Sequence, residues 1–201
     1  MEPSKSAGEA PQSWISQLRE RLANPAPLRL TPGEARQAAV LVPLFVDAGE
    51  LWTLLTKRSE EMPQHKGQVA FPGGGQEMGE DPWAAALRES REELGLDPMG
   101  VMRLGQLDEA ATPSGYHIVP CVGAIPHSVE LDVNESEIAE VFPVPLTAFA
   151  QPRIVEERVV KVDGRESSIR IYHVGRHQVW GLTARIVQNL LERLGLTVAE
   201  G

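Results

Sequence analysis

A chain of 201 residues is long enough to bury one core of ordinary size and short for two. Its 42% hydrophobic content excludes a wholly disordered chain, and a formal charge of −9 argues against nonspecific binding to nucleic acid or anionic membranes, which require a basic face. Cys121 is the only cysteine, which excludes an intramolecular disulfide or a cysteine-built zinc site, and no run approaches the roughly 20 apolar residues of a membrane span. The chain reads as cytoplasmic, with no nucleic-acid or membrane partner, and an anionic substrate would need a local cation.

Residues 1–13 are rich in Pro, Ser, Gly, Ala and Glu and read as a tail. Trp14, Ile15, Leu18 and Leu22 then recur at helical spacing, predicting a short amphipathic helix that packs on the domain or on a partner and leaves a homodimer open. The prolines of "NPAPLRLTPGEAR" interrupt regular structure, so residues 1–34 are read as tail and helix and 35–198 as the main domain, with its first strand near Gln37. "AAVLVPLFV" and "LWTLLTKR", separated by Asp47, Ala48 and Gly49, predict a hairpin, and a third apolar run, "QVAF", ends at "PGGG". "MRLGQLDEAAT", "YHIVPCVGAI", "EIAEVFPVP", "RIVEERVVKV" and "SIRIYHV" read as strands, with a short helix at Leu146 to Ala150. A closing helix carries Leu182, Ile186, Leu190 and Leu194 on one stripe and stops at Gly195. The sum is a mixed sheet flanked by helices, in the α/β or α+β class, without internal repeats.

Between those strands lies an acidic segment. Asp81 as N-cap, Pro82 at the first helical position and Gly95 as the stop predict a helix ending at Leu94. A turn of about 100° per residue puts Trp83, Leu87, Ser90 and Leu94 on the core stripe and gathers Glu89, Glu92 and Glu93 on another face. Like charges four residues apart cost about 0.2–0.5 kcal/mol per pair. Taken alone, such a helix is a solvated face partly neutralised by Arg88 and Arg91. Yet six acids and two bases between Gly74 and Leu96 leave a local charge of −4. A hard divalent cation would turn that repulsion into ligation, since carboxylate oxygens suit Mg2+ and Mn2+. Immediately upstream, "FPGGG" lets the backbone approach closely, although alone it reads as a turn. It is no P-loop, for no Lys-Ser or Lys-Thr pair follows, and Met78 stands where a dinucleotide fingerprint needs its last glycine.

Gly74, then Glu80, then "RESREELGL" from Arg88 to Leu96 resemble the Nudix box, G-x5-E-x7-R-E-U-x-E-E-x-G-U, at every fixed position over 23 residues. Ser90 departs at a position where a bulky aliphatic is usual. The resemblance implies an α/β/α sandwich around a mixed β-sheet and hydrolysis of a nucleoside diphosphate derivative with Mg2+ or Mn2+. By position it implies Glu89 and Glu93 as principal metal ligands and Glu92 as a further ligand or base. Arg88 and Glu80 would form an ion pair fixing loop to helix, Gly95 would end the helix, and the Gly73 or Gly74 carbonyl would add a backbone ligand. A second segment, "LLTKRSEEMPQHKGQVAFPGG" from Leu54 to Gly74, resembles the coenzyme A pyrophosphatase branch, as do "TPSGYHIVPCVG" and "VWGLTARI". That likeness implies coenzyme A or its acyl derivatives as substrate, with 3',5'-ADP and 4'-phosphopantetheine as products. Pro63 replaces an arginine of the branch pattern, which implies either weaker coenzyme A affinity or reliance on Arg58, His65 or Lys66.

The sequence leaves other roles open. Glu89, Glu92, Glu135 and Glu137 are all candidates for the base. His65 reads equally as a phosphate contact or a structural hydrogen-bond partner. His173 and His177 lack a third ligand for zinc. Cys121 reads as core, and Trp180 and Tyr172 as core or subunit-contact aromatics, with adenine stacking as the alternative. Competing functions are hydrolysis of another nucleoside diphosphate derivative such as ADP-ribose, and a nonenzymatic nucleotide sensor.

Overall fold

The computed structural model describes residues 11–31, 33–62, 65–151, 155–162 and 165–196, so most of the proposed tail and Pro63 lie outside the described residues. In chain order the elements are α1 (Pro11–Ala23), β1 (Arg36–Asp47), β2 (Glu50–Arg58), β3 (Val69–Ala70), β4 (Gly73–Gly75), α2 (Pro82–Leu94) and β5 (Met102–Gln106). There follow β6 (Ala110–Ala111), β7 (Tyr116–Ala124), β8 (Ile138–Pro145), α3 (Leu146–Phe149), β9 (Val155–Val162), β10 (Arg165–Val174), β11 (His177–Val179) and α4 (Gly181–Leu194). Among the described residues no helix is long and apolar enough to cross a membrane.

The β1–β2 hairpin forms because Ala48 and Gly49 take positive φ values of 49° and 82°, the twist that a two-residue connection demands. On the other side of β1, β7 runs parallel, from Arg36 opposite Tyr116 to Leu44 opposite Ala124. β5 lies antiparallel beyond β7, and β8 lies antiparallel beyond β2, so the main sheet is mixed. Alternation along β1 and β7 divides the core in two. Ala39, Leu41, Val119 and Cys121 meet Ala85, Ala86 and Leu94 of α2. Val42, Leu44, Val122 and Ala124 face the opposite way, into the layer that holds α1 and α4. A second sheet, β11-β10-β9, adds Tyr172 and Val179 to that layer, where Tyr172 meets Phe149 edge-on with ring centroids 5.3 Å apart.

A lone 13-residue helix is marginal in water, so α1 owes its existence to docking. Leu18 and Leu22 are buried in the α4 layer, each contributing about 1.5–3 kcal/mol. The helix therefore packs on the domain itself. Arg21 donates to the Leu194 carbonyl at 2.7 Å, and Arg193 donates to the Pro25 carbonyl at 2.6 Å. Beneath this junction Asp108 accepts from the Leu28 backbone N–H, from Asn189 and from Arg193. Burial alone would raise its pKa, but these donors outweigh burial and hold it below the usual carboxylate range. Its contribution is therefore present above the unfolded pKa of about 3.9 and is lost as pH falls through the lower folded value. Asp108→Ala is expected to lower the urea-unfolding free energy at pH 7 by about 1–3 kcal/mol. The difference from the parent should shrink below about pH 4.

Candidate metal and substrate cleft

The hairpin strands are neighbours only at their closed end, from Leu44 opposite Thr53 to Asp47 opposite Glu50. Beyond Leu44, β1 pairs with β4 instead, while β2 takes β3 and β8. A cleft of about 670 Å³ opens where the two strands take different partners. Ala38 and Val40, Thr56 and Arg58, Val69 and Ala70, and all three residues of β4 line it.

Close approach bears on two of the three β4 glycines, Gly73 and Gly74. A Cβ at Gly73, where φ is +151°, would lie 2.3 Å from the Ala39 carbonyl oxygen. A Cβ at Gly74 would lie 2.5 Å from the carboxylate carbon of Glu89. This strand without side chains brings the end of α2 up to the cleft.

The three glutamates that helical spacing gathers on one face do not share one environment. Glu93 is 3% exposed, accepts from the Gly73 N–H at 3.1 Å and receives Arg58 Nη1 at 3.3 Å. Burial pushes its pKa up to about 7, against the opposing pull of Gly73 and Arg58 and with Glu89 and Glu137 adding to the rise. Glu89 is half-buried, and burial likewise raises its pKa although Arg88 opposes the shift. Glu92 keeps 58% of its side chain exposed. The expected core stripe faces the α2-side core, with Ser90 and Leu94 buried and Trp83 and Leu87 partly buried. Ser90 tolerates full burial because its hydroxyl donates to the Ala86 carbonyl at 2.6 Å.

Arg88 lies at the centre of the acidic cluster. Its Nε and Nη2 meet the two Glu80 oxygens at 3.1 Å each, and Nη2 also donates to the Gly75 carbonyl at 2.8 Å. Its Nη1 reaches Glu89 at 2.8 Å and Glu92 at 3.4 Å. The Arg88 hydrogen bond holds Glu80 below the usual carboxylate pKa. Asp81 caps α2 by accepting from the Trp83 and Ala84 N–H groups, and Gly95 ends it with φ +67°.

Among the described residues no three acidic or imidazole side chains converge as a ready metal cage, and Arg88 engages Glu89 instead. The donor chemistry still fits a hard divalent cation. Glu89 and Glu93 are oxygen donors whose charge burial disfavours, beside a backbone that a Cβ at Gly74 would block. Glu137 is near enough to raise the pKa of both, while Glu135 is exposed.

The remaining sequence candidates divide. Arg58, His65, Gly73 and Gly74 line the cleft, but Lys66 is exposed and is not part of its wall. His65 adopts φ 58° and its Nδ1 lies 2.9 Å from Gln68 Oε1. His173 and His177 contact Glu156 and Glu140 separately, the latter imidazole stacking on Phe142. Tyr172 is core, but Trp180 is 46% exposed and lines the cleft, which removes the core alternative for it and leaves subunit contact or adenine stacking. Thr112 to Ser114, Tyr116 and the first turn of α4 complete the wall. These belong to "TPSGYHIVPCVG" and "VWGLTARI", so the signal for them lay in the resemblance of those two segments.

The NUDIX domain family profile matches residues 35–163. A protein of Photorhabdus laumondii named uncharacterized Nudix hydrolase NudL is 36% identical over 171 residues, 85% of this chain and 90% of its own length. Its namesake from Pectobacterium atrosepticum is 38% identical over 161 residues, 78% of this chain and 82% of that one. Among solved structures, a MutT/nudix family protein from Enterococcus faecalis superposes with a TM-score of 0.52 at 15% identity, covering 95% of this chain and 76% of that chain.

Proposed function

We propose, because this chain belongs to the Nudix family, that it is a metal-dependent hydrolase that cleaves the pyrophosphate of coenzyme A or its acyl derivatives, giving 3',5'-ADP and (acyl-)4'-phosphopantetheine. The observation that carries this reading is the buried Glu93, held between the Gly73 N–H and Arg58 in the wall of a cleft otherwise lined largely by apolar side chains. That combination suits an anhydride attached to a long, weakly polar arm. Glu89 and Glu93, with Glu92, would hold Mg2+ or Mn2+. When bound, such a cation would neutralise phosphoryl oxygens and lower the pKa of a water.

The chain's own residues supply position and proton transfer. Arg88 clamps Glu80 and the Gly75 carbonyl, fixing the glycine strand against α2 so that the anhydride meets backbone rather than side chain. Arg58 favours the charged form of Glu93 from the facing strand. Glu92 is the most exposed of the three glutamates and its contact with Arg88 is the longest, so a Glu92 carboxylate oxygen is assigned to take the proton from the attacking water. Residues 1–34 would serve as the tail and docking helix of a catalytic domain spanning 35–198.

ADP-ribose is the second reading, favoured by Pro63 in place of an arginine and by Lys66 lying outside the cleft wall. Chromatographic product analysis over a panel of nucleoside diphosphate derivatives with Mg2+ or Mn2+ tests the assignment. The expected result is a kcat/KM for coenzyme A at least about tenfold above that for ADP-ribose, a transition-state difference of about 1.4 kcal/mol. Equal or reversed values would move the substrate to ADP-ribose. Nucleotide binding without turnover would make the domain a sensor.

A further inference from the structure

Resting on the coenzyme A reading, the geometry assigns to Arg36 the recognition of a second phosphate on the substrate, a phosphomonoester on the ribose remote from the anhydride. The net charge of −9 repels a polyanion, so the cleft needs a cation whose charge is not already compensated. Arg58 is paired with Glu93, and Arg88 with Glu80, Glu89 and Glu92. Arg36 has no acidic partner among the described residues. Its guanidinium carbon stands 4.1 Å from the centroid of the Tyr116 ring, and one Nη donates to the Ser114 carbonyl at 3.3 Å. Tyr116 and Ser114 both belong to the cleft wall.

Strand alternation brings Arg36 to the same face. Residues 36, 38 and 40 of β1 share one side; Ala38 and Val40 line the cleft, and Arg36 stands just outside its wall against the lining residues Ser114 and Tyr116. Across the parallel ladder Arg36 opposes Tyr116 and Ala38 opposes Ile118, both also in the wall on the β7 side. Ala38 is opposite Gly75, so Arg36 lies two residues, about 7 Å of strand, past the end of the glycine segment. That displacement, with the reach of an arginine, matches the offset between an anhydride and a ribose phosphate of one nucleotide. Stacking on Tyr116 restricts the guanidinium and leaves its remaining N–H donors for a bidentate phosphate contact. Because Arg36 is exposed, its replacement should leave the fold intact.

The test compares coenzyme A with dephospho-coenzyme A, which lacks only that phosphate, in the full chain and in Arg36→Gln. The expected result is a fall of about tenfold in kcat/KM for coenzyme A, carried by KM, the scale of one charge-assisted contact at a rim. Dephospho-coenzyme A should change by no more than about twofold, and Arg36→Lys should fall between the parent and Arg36→Gln. Equal losses on both substrates, or no loss on either, would overturn the assignment. If the parent hydrolyses neither substrate, the coenzyme A reading fails separately. Calorimetric binding of 3',5'-ADP against AMP then decides the role of Arg36, which requires a parent preference for 3',5'-ADP that Arg36→Gln abolishes.

Discussion

Glu93→Gln is expected to reduce metal-dependent turnover by about a thousandfold, the loss of roughly 4 kcal/mol of transition-state stabilisation, while the protein stays folded. The amide retains an oxygen that can accept from the Gly73 N–H, so the hydrogen bond that seats the side chain survives. What disappears is a negative oxygen donor. Burial opposes charge on Glu93, and a neutral amide relieves that opposition. The melting temperature without added metal should therefore match or exceed that of the parent near neutral pH, while the stabilisation produced by Mg2+ or Mn2+ should largely vanish. Parent-like turnover, within about threefold, would remove Glu93 from the site. Differential scanning fluorimetry with and without the cation, beside steady-state kinetics, reads both consequences.

Gly73→Ala is expected to be the more damaging substitution for the fold. Its Cβ would lie 2.3 Å from the Ala39 carbonyl oxygen and 2.6 Å from the Val40 Cα, both backbone atoms that cannot swing aside. Relief requires β4 to leave β1, which sacrifices the Val40–Gly73 pairing and withdraws the N–H that Glu93 accepts. A cost of about 3 kcal/mol or more follows, a fall in melting temperature on the order of 10 °C for a chain of this size. Gly79→Ala is the control: φ there is +81° but nothing lies within 4 Å of the new Cβ. It isolates the conformational cost, about 1–2 kcal/mol. Equal melting temperatures for the two variants would show that close approach is not what demands glycine at 73.

The acidic helix was legible in the sequence because each of its signals is local. Asp81, Pro82 and Gly95 act within one turn of where they stand, and the structure places α2 from Pro82 to Leu94. The glycine strand was not legible. Three consecutive glycines carry no alternation and a poor strand propensity, yet they pair with β1, against which a side chain at Gly73 would collide. The depth of Glu93 was hidden for the same reason: a helical wheel gives direction, but how far a carboxylate is covered depends on the strand laid over it. For Trp180 the sequence left core, subunit contact and adenine stacking open, because its indole stands at a rim that exists only once α4 meets the cleft. Arg36 passed unnoticed because composition counts cations without showing which ones carboxylates have neutralised.

The divergence of the hairpin strands has a consequence for how this scaffold can be altered. β1 and β2 share ladder pairs only from Leu44 and Thr53 to the turn, so no ladder bond crosses the cleft between them, which is walled by the backbone of β3 and β4 and by side chains such as Val40 and Val69. Its aperture is therefore a matter of residue volume at positions such as Val40 and Val69. A change there redraws the girth of what can enter while every main-chain pairing around the carboxylates stays intact.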